Sequence, residues 1–316
     1  MTQDLENTAY ALPLEPPAGD HIVRATAHDG LVRAFAARTT DTCREMVRIH
    51  GLSPVAAAAL GRLATGVQIM SQDLKNPDDR ITAIVRGDGS LRGLTVTCGP
   101  DAMVRGYAWE PVVETTYRSA GKLDVGSAVG HGTLTVIRDS GRGEPYIGRV
   151  ELVSGEIGDD LAAYYANSEQ VPSAVGLGVR MDGGGILHAG GFLVQLMPDA
   201  GESLTEWMQE RMAGFPDVTW LLNEGFGPRQ ILDLLMGDPD TRYLGEVPCG
   251  FRCDCSRERM SRNLATLGDE DLHDLMSEPE GAELTCHFCG QRYHFFREDL
   301  QAIFDHARDR TGQDQP

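Results

Sequence analysis

Lysine is nearly absent from this 316-residue chain: Lys75 and Lys122 are the only two, and arginine takes its place. That usage reads as codon bias and carries no chemistry. No apolar run approaches the roughly 20 residues that a membrane span needs. Residues 1–20 carry acids where a secretory leader would be basic, and no apolar stretch follows, so a cytosolic, bacterial-type protein is predicted. Basic surface is also lacking, with 28 lysines and arginines against 47 acids and a formal net charge of -19. A nucleic-acid partner is therefore disfavoured, because binding phosphates requires cations that displace their counterions. The same charge would keep a protein soluble while it exposes apolar surface, although an ordinary acidic cytosolic protein carries it equally well. Glycines crowd Gly126–Gly132 and Gly183–Gly191, yet neither stretch fits a phosphate-binding loop. Tight turns and bulges are predicted there instead.

The chain is long enough for two or three domains, and its 41% hydrophobic content is ordinary for a soluble globular protein. Ile81–Val85 and Leu91–Thr97, joined through Gly87-Asp-Gly89, read as a β-hairpin in which the Asp-Gly pair supplies the positive-φ turn. Gly132–Ile137 and Pro145–Val153 read as a second. Ala56–Met70 and Asp159–Asn167 carry helical spacing. Strands that arrive in hairpins predict antiparallel sheets with helices packed on them, an α+β domain over residues 1–200.

Residues 201–248 differ in kind. Ser203–Met212, Val218–Asn223 and Pro228–Met236 read as short helices broken by glycine and proline. Their apolar residues are large, including Trp207, Met212, Trp220, Leu234 and Leu235. Helices this short depend on docking for their stability, so this segment is predicted to be a metastable helical linker that lies on something. An ordinary, permanently packed helical subdomain fits the same pattern. If the linker opens, those five residues are the candidates for binding an apolar partner. Thioether and indole groups suit a promiscuous surface.

Five of the seven cysteines fall between Cys249 and Cys289. Clustered cysteines in a reducing compartment indicate metal or redox chemistry, whereas Cys43 and Cys98 stand alone and read as small buried hydrophobes. Cys253-Asp-Cys255 and Cys286-His-Phe-Cys289 lie 30 residues apart, over 256–285, and Gly290 follows the second pair. Two close pairs of thiolates suit one tetrahedral zinc ion, with Cys253, Cys255, Cys286 and Cys289 as ligands. Cys249, His287 and His294 are the nearby alternatives. A complete four-sulfur shell leaves no open coordination position, which argues against hydrolytic catalysis and against an enzyme. Residues 249–316 form a unit so small that the metal would contribute much of its folding energy. Cysteines one residue apart make a strained, readily reversed disulfide. The C-x-C half therefore points to redox control, with oxidation ejecting the metal and its folding energy together. Residues 256–283 read as mostly helical, and Asp269–Glu283 holds seven acids with no lysine or arginine. A strand over Gln291–Phe296 and a helix over Asp299–Arg308 follow, before a polar tail over 309–316.

The motifs Phe251-Arg-Cys-Asp-Cys-Ser-Arg-Glu-Arg259 and Cys286-His-Phe-Cys-Gly-Gln-Arg-Tyr-His-Phe295 resemble those of the redox-regulated heat-shock protein 33 family of holdase chaperones. The resemblance continues in Pro145-Tyr-Ile-Gly148, Gly155-Glu-Ile157, Ser168-Glu-Gln170, Pro172-Ser-Ala-Val175 and Gly190-Gly191. The mass of 34.3 kDa agrees. The resemblance implies an ATP-independent chaperone that is zinc-bound and silent when reduced. It further implies that oxidation releases zinc and forms disulfides Cys253–Cys255 and Cys286–Cys289. The linker then unfolds, and active homodimers hold unfolding client proteins in the cytoplasm. Cys249 is an additional thiol outside that pattern. Two other classes compete: a zinc-ribbon nucleic-acid module, which the acidic inter-pair segment opposes, and a thiol oxidoreductase, which needs an accessible C-x-x-C beside a βαβ unit.

Overall fold

The computed structural model describes residues 19–303 and 305, apart from 120, 121 and 279. The chain divides into two compact units, Met1–Arg252 and Cys253–Pro316. In the first, strands β1 (His21–Ala27), β2 (Val32–Arg38), β3 (Arg80–Gly87), β4 (Gly93–Cys98) and β5 (Met103–Ala108) are followed by a small ribbon, β6 (Tyr117–Ser119) and β7 (Lys122–Leu123). Then come β8 (Gly132–Asp139), β9 (Tyr146–Glu151), β10 (Ser173–Asp182), β11 (Gly185–Leu196), β12 (Arg242–Pro248) and β13 (Gly250–Phe251). One sheet has the order β10-β11-β2-β1-β12 and the other β13-β5-β4-β3-β8-β9. The pairings are antiparallel except β13 with β5.

Helix α1 (Thr40–His50) leads into α2 (Pro54–Met70). α2 is apolar nearly all round and is buried from Val55 to Met70 except at Arg62. A helix without a polar face belongs inside, and α2 packs against strands of both sheets. Short helices α3 (Val125–Val129) and α4 (Gly158–Tyr164) complete this core.

The first sheet is apolar on both faces. On β1, Ile22 joins the α2 core, whereas Val23, Ala25 and Ala27 face a second apolar cluster. That cluster is closed by α5 (Glu202–Ala213), α6 (Val218–Asn223) and α7 (Pro228–Met236). The three linker helices thus dock where the sheet would otherwise present bare alanine, valine and phenylalanine to water.

The second unit contains α8 (Arg257–Leu264), α9 (Asp269–Ser277) and a hairpin of β14 (Ala282–Thr285) and β15 (Arg292–Phe295). Helical residues resume at 297. Its core is small: Met260, Leu264, Met276, Ala282, Phe295, Leu300 and Ile303 are buried beside Cys286.

Several expectations need correction. Both hairpins form, but the positive φ between β3 and β4 falls on Arg92, at 59°. The five-residue connection is shaped by Gly89, whose Cα side lies against the Ala128 and Val129 backbone. Gly190 and Gly191 lie inside β11, not in a turn. The linker is not helical throughout, because β12 occupies its last seven residues and pairs with β1. Residues 282–285 are a strand rather than the end of a helical run. The expected helix end at Arg308 and the polar tail lie outside the described residues.

Candidate functional site

Cys253 and Cys255 sit in an irregular stretch that ends at the cap of α8, where Ser256 Oγ accepts the Arg259 amide at 3.2 Å. An Arg259–Asp254 ion pair at 2.9 Å steadies the residue between the two cysteines. The other pair occupies the turn of the β14–β15 hairpin. There the Cys286 amide donates to Gln291 O at 2.9 Å, and the Cys289 and Gly290 amides donate to Cys286 O at 3.3 and 2.8 Å. Gly290 adopts φ 73° to close this turn, a conformation that costs glycine little.

The two segments bring four sulfurs together. Sγ of Cys253 and Cys286 are 3.7 Å apart, and those of Cys255 and Cys289 are 3.4 Å apart. All four lie within 4.8 Å of one another. A tetrahedral ion with metal–sulfur bonds near 2.3 Å would set sulfurs about 3.8 Å apart, so the cluster has the size of a metal site. The thiols are free, not disulfide-bonded.

Burial and hydrogen bonding act differently on the clustered thiols. Burial pushes the Cys253 and Cys289 thiols up. Burial acts the same way on Cys255, but hydrogen bonds from the Tyr293 hydroxyl and neighbouring thiols outweigh it, and Cys255 falls below the ordinary thiol value. The Tyr293 hydroxyl donates to Cys255 Sγ at 3.1 Å, and this bond first, then burial, pushes the Tyr293 hydroxyl up to about 12. Four crowded thiols resist ionising together, and a bound cation reverses that preference. Cys249 is not in the cluster. It belongs to the first unit, where it is buried and its thiol donates to Arg38 O at 3.6 Å.

The linker residues fall into three environments. Leu235 is fully buried against the first sheet. Trp207, Met212 and Leu234 are half-buried at the margin of the same cluster. Trp207 packs edge-on to the His28 ring, 4.6 Å between centroids, while the His28 amide donates to Asp238 Oδ2 at 2.7 Å. Trp220, in contrast, is 41% exposed, so it is not part of the area this state hides. Leu232 and Val218, which spacing did not single out, are buried in its stead. Tyr243 on β12 was also missed: it donates to Asp233 on α7 and stacks under the Arg229 guanidinium.

Among the described residues no helix is long and apolar enough to cross a membrane. The Hsp33 protein family model matches residues 20–296. A 33 kDa chaperonin of Ruminiclostridium cellulolyticum is 48% identical over 90% of this chain and 98% of its own. That of Acetivibrio thermocellus is 46% identical over 89% and 95%. The crystal structure of the Thermotoga maritima 33 kDa chaperonin, an Hsp33 homologue, superposes with a TM-score of 0.82 at 33% identity, covering 92% of this chain and 99% of that one. A match this continuous, through both sheets and the cysteine cluster, places the chain in the Hsp33 family of chaperones.

Proposed function

We propose that this chaperone is a redox-controlled, ATP-independent holdase whose switch is one zinc ion held by Cys253, Cys255, Cys286 and Cys289. The observation that carries the proposal is the convergence of four free sulfurs within 4.8 Å in a unit with a slender apolar core. Structural zinc contributes about 10–16 kcal/mol in small fingers, as much as the stability of a whole domain. Oxidation that removes the ion would therefore unfold the unit, and the linker, residues 201–248, would lose its anchor. The sheet face and helix faces now joined in one apolar cluster would then meet unfolded clients. A homodimer as the active form and a cytoplasmic location belong to the same proposal, as does the absence of catalysis, since a closed four-thiolate shell offers no open position.

The proposed disulfides are Cys253–Cys255 and Cys286–Cys289. In the assembled cluster two sulfur–sulfur contacts cross between motifs, Cys253 to Cys286 at 3.7 Å and Cys255 to Cys289 at 3.4 Å. Once the ion and fold are gone, loop-closure entropy favours partners one or two residues apart over partners separated by 30. Peptide mapping of the oxidised chain distinguishes the two patterns.

The decisive experiment compares suppression of a heat-denatured client's aggregation before and after peroxide, with zinc counted in parallel. Reduced chain should carry one zinc and be inactive, and oxidised chain should be zinc-free and active. Serine at any one of the four cysteines should weaken zinc binding sharply. Full activity in the reduced, zinc-loaded state would refute redox control.

A further inference from the structure

We infer that the Tyr293 hydroxyl is a positioning group for the redox step: by donating to Cys255 it shields that sulfur from oxidant and delays release of the metal. The inference deepens the zinc-switch proposal and depends on it.

Tyr293 lies on β15, paired across the hairpin with Leu284. The hairpin turn supplies Cys286 and Cys289, so Tyr293 reaches from the second cysteine motif back to a sulfur of the first. Its half-buried ring packs in the unit's apolar cluster, which fixes the direction of the hydroxyl. The bond to Cys255 depends on one side-chain oxygen and is therefore adjustable by a single substitution.

A hydrogen bond to a metal-bound thiolate withdraws electron density from the lone pair that would attack an oxidant. Partners in this outer layer commonly change metal-site properties by about 10–100-fold. With hydrogen peroxide, a thiolate sulfur donates an electron pair to one peroxide oxygen, the O–O bond breaks and hydroxide leaves, giving a sulfenic acid. A second thiolate then attacks that sulfur, the S–O bond breaks, a second hydroxide leaves, and the disulfide forms. Two thiolates are oxidised, one peroxide is reduced, and the metal departs as the hydrated ion. Because Cys255 is shielded, the first attack falls on another sulfur of the cluster.

The test uses the full chain with Tyr293→Phe, which keeps the ring and deletes the hydroxyl. It should bind one metal ion when reduced, lose zinc to peroxide roughly threefold to tenfold faster as expected for one lost hydrogen bond, and show Cys255 among the first sulfurs modified. With cobalt in place of zinc, the sulfur-to-metal charge-transfer band should shift in the variant, a signature that a loosened scaffold alone does not produce. Arg292→Ala, on the same strand but directed to Glu283, should leave rate, order and spectrum unchanged. Equal rates and order in Tyr293→Phe and the unmodified chain would overturn the inference, as would loss of metal from the reduced variant. An unmodified chain that binds no zinc, or keeps it under peroxide, would instead overturn the switch proposal itself.

Discussion

Burial separates Cys43, Cys98 and Cys249 from the four clustered cysteines. Cys43 and Cys98 are buried and, chiefly for that reason, their thiols are pushed up to about 12. Burial, followed by the charge of Asp20, raises Cys249 as well. Since the thiolate is the reactive form, these three should resist iodoacetamide at pH 8 in the reduced chain. Cys249→Ser should keep one zinc ion. Metal loss from that variant would contradict the ligand assignment. After oxidation Cys249 should become alkylated if β12, which it directly follows, undocks with the linker as proposed. Mass spectrometry of labelled peptides reads both outcomes. The four-sulfur cluster was legible in the sequence because its cysteines come in two local pairs. Tyr293 was not, because its contact depends on the pairing register of a hairpin and on the approach of a second segment. Spacing along the chain encodes neither.

The three linker helices are short, and their stability rests on docking against the sheet. Their large residues and their boundaries were readable from periodicity and from the glycine and proline breaks. Their partner was not, and β12 went unrecognised. Glu246 and exposed Leu244 break the alternation, and Gly245 weakens strand propensity, so the pairing with β1 is decided by tertiary contact. The docking interface is sensitive at two kinds of position. Leu235 is fully buried, and Leu235→Ala should weaken docking by about 2–5 kcal/mol. Gly178 on β10 faces α6 so closely that a Cβ there would lie 2.5 Å from Thr219 Cγ2. Gly178→Ala should push α6 away at a cost of about 1–3 kcal/mol, and adding Thr219→Ala should restore docking by removing the obstructing methyl. Both single variants should bind client after milder oxidation than the unmodified chain. Trp220→Ala, at an exposed site, should leave that threshold in place. An unchanged threshold in Leu235→Ala would mean that undocking does not limit activation.

At the scale of the whole molecule, the parts joined by the proposed switch differ in how much apolar packing holds them. Among the described residues the second unit has few buried apolar side chains, and the proposed switch assigns the rest of its stability to a metal held by the sulfur cluster. The linker helices are each 12 residues or shorter and rest on one sheet face. The remainder of the first unit encloses α2 between two sheets, with Leu60, Leu63, Ile81, Leu94 and Leu134 almost wholly buried. Regions with few buried contacts open at low free energy, whereas core strands open only with global unfolding. β12 and β13, which pair with β1 and β5, stand in the chain between the linker helices and Cys253, so under the proposed switch disorder spreading from the cysteines has to release these two strands before the helices undock. Hydrogen exchange followed by mass spectrometry should therefore show three tiers after peroxide and zinc loss. Residues 253–303 should exchange fastest, residues 201–248 should lose most of their protection, and β3 and β4 should keep theirs. If the metal rather than the disulfides supplies the folding energy, as proposed, chelation of zinc without oxidant should loosen the second unit alike, and readdition of zinc should restore it. If residues 201–248 stayed protected while 253–303 loosened, the linker would be a permanent part of the first unit. The client surface would then have to lie in the second unit, on the side chains of Met260, Leu264 and Phe295 that its melting uncovers.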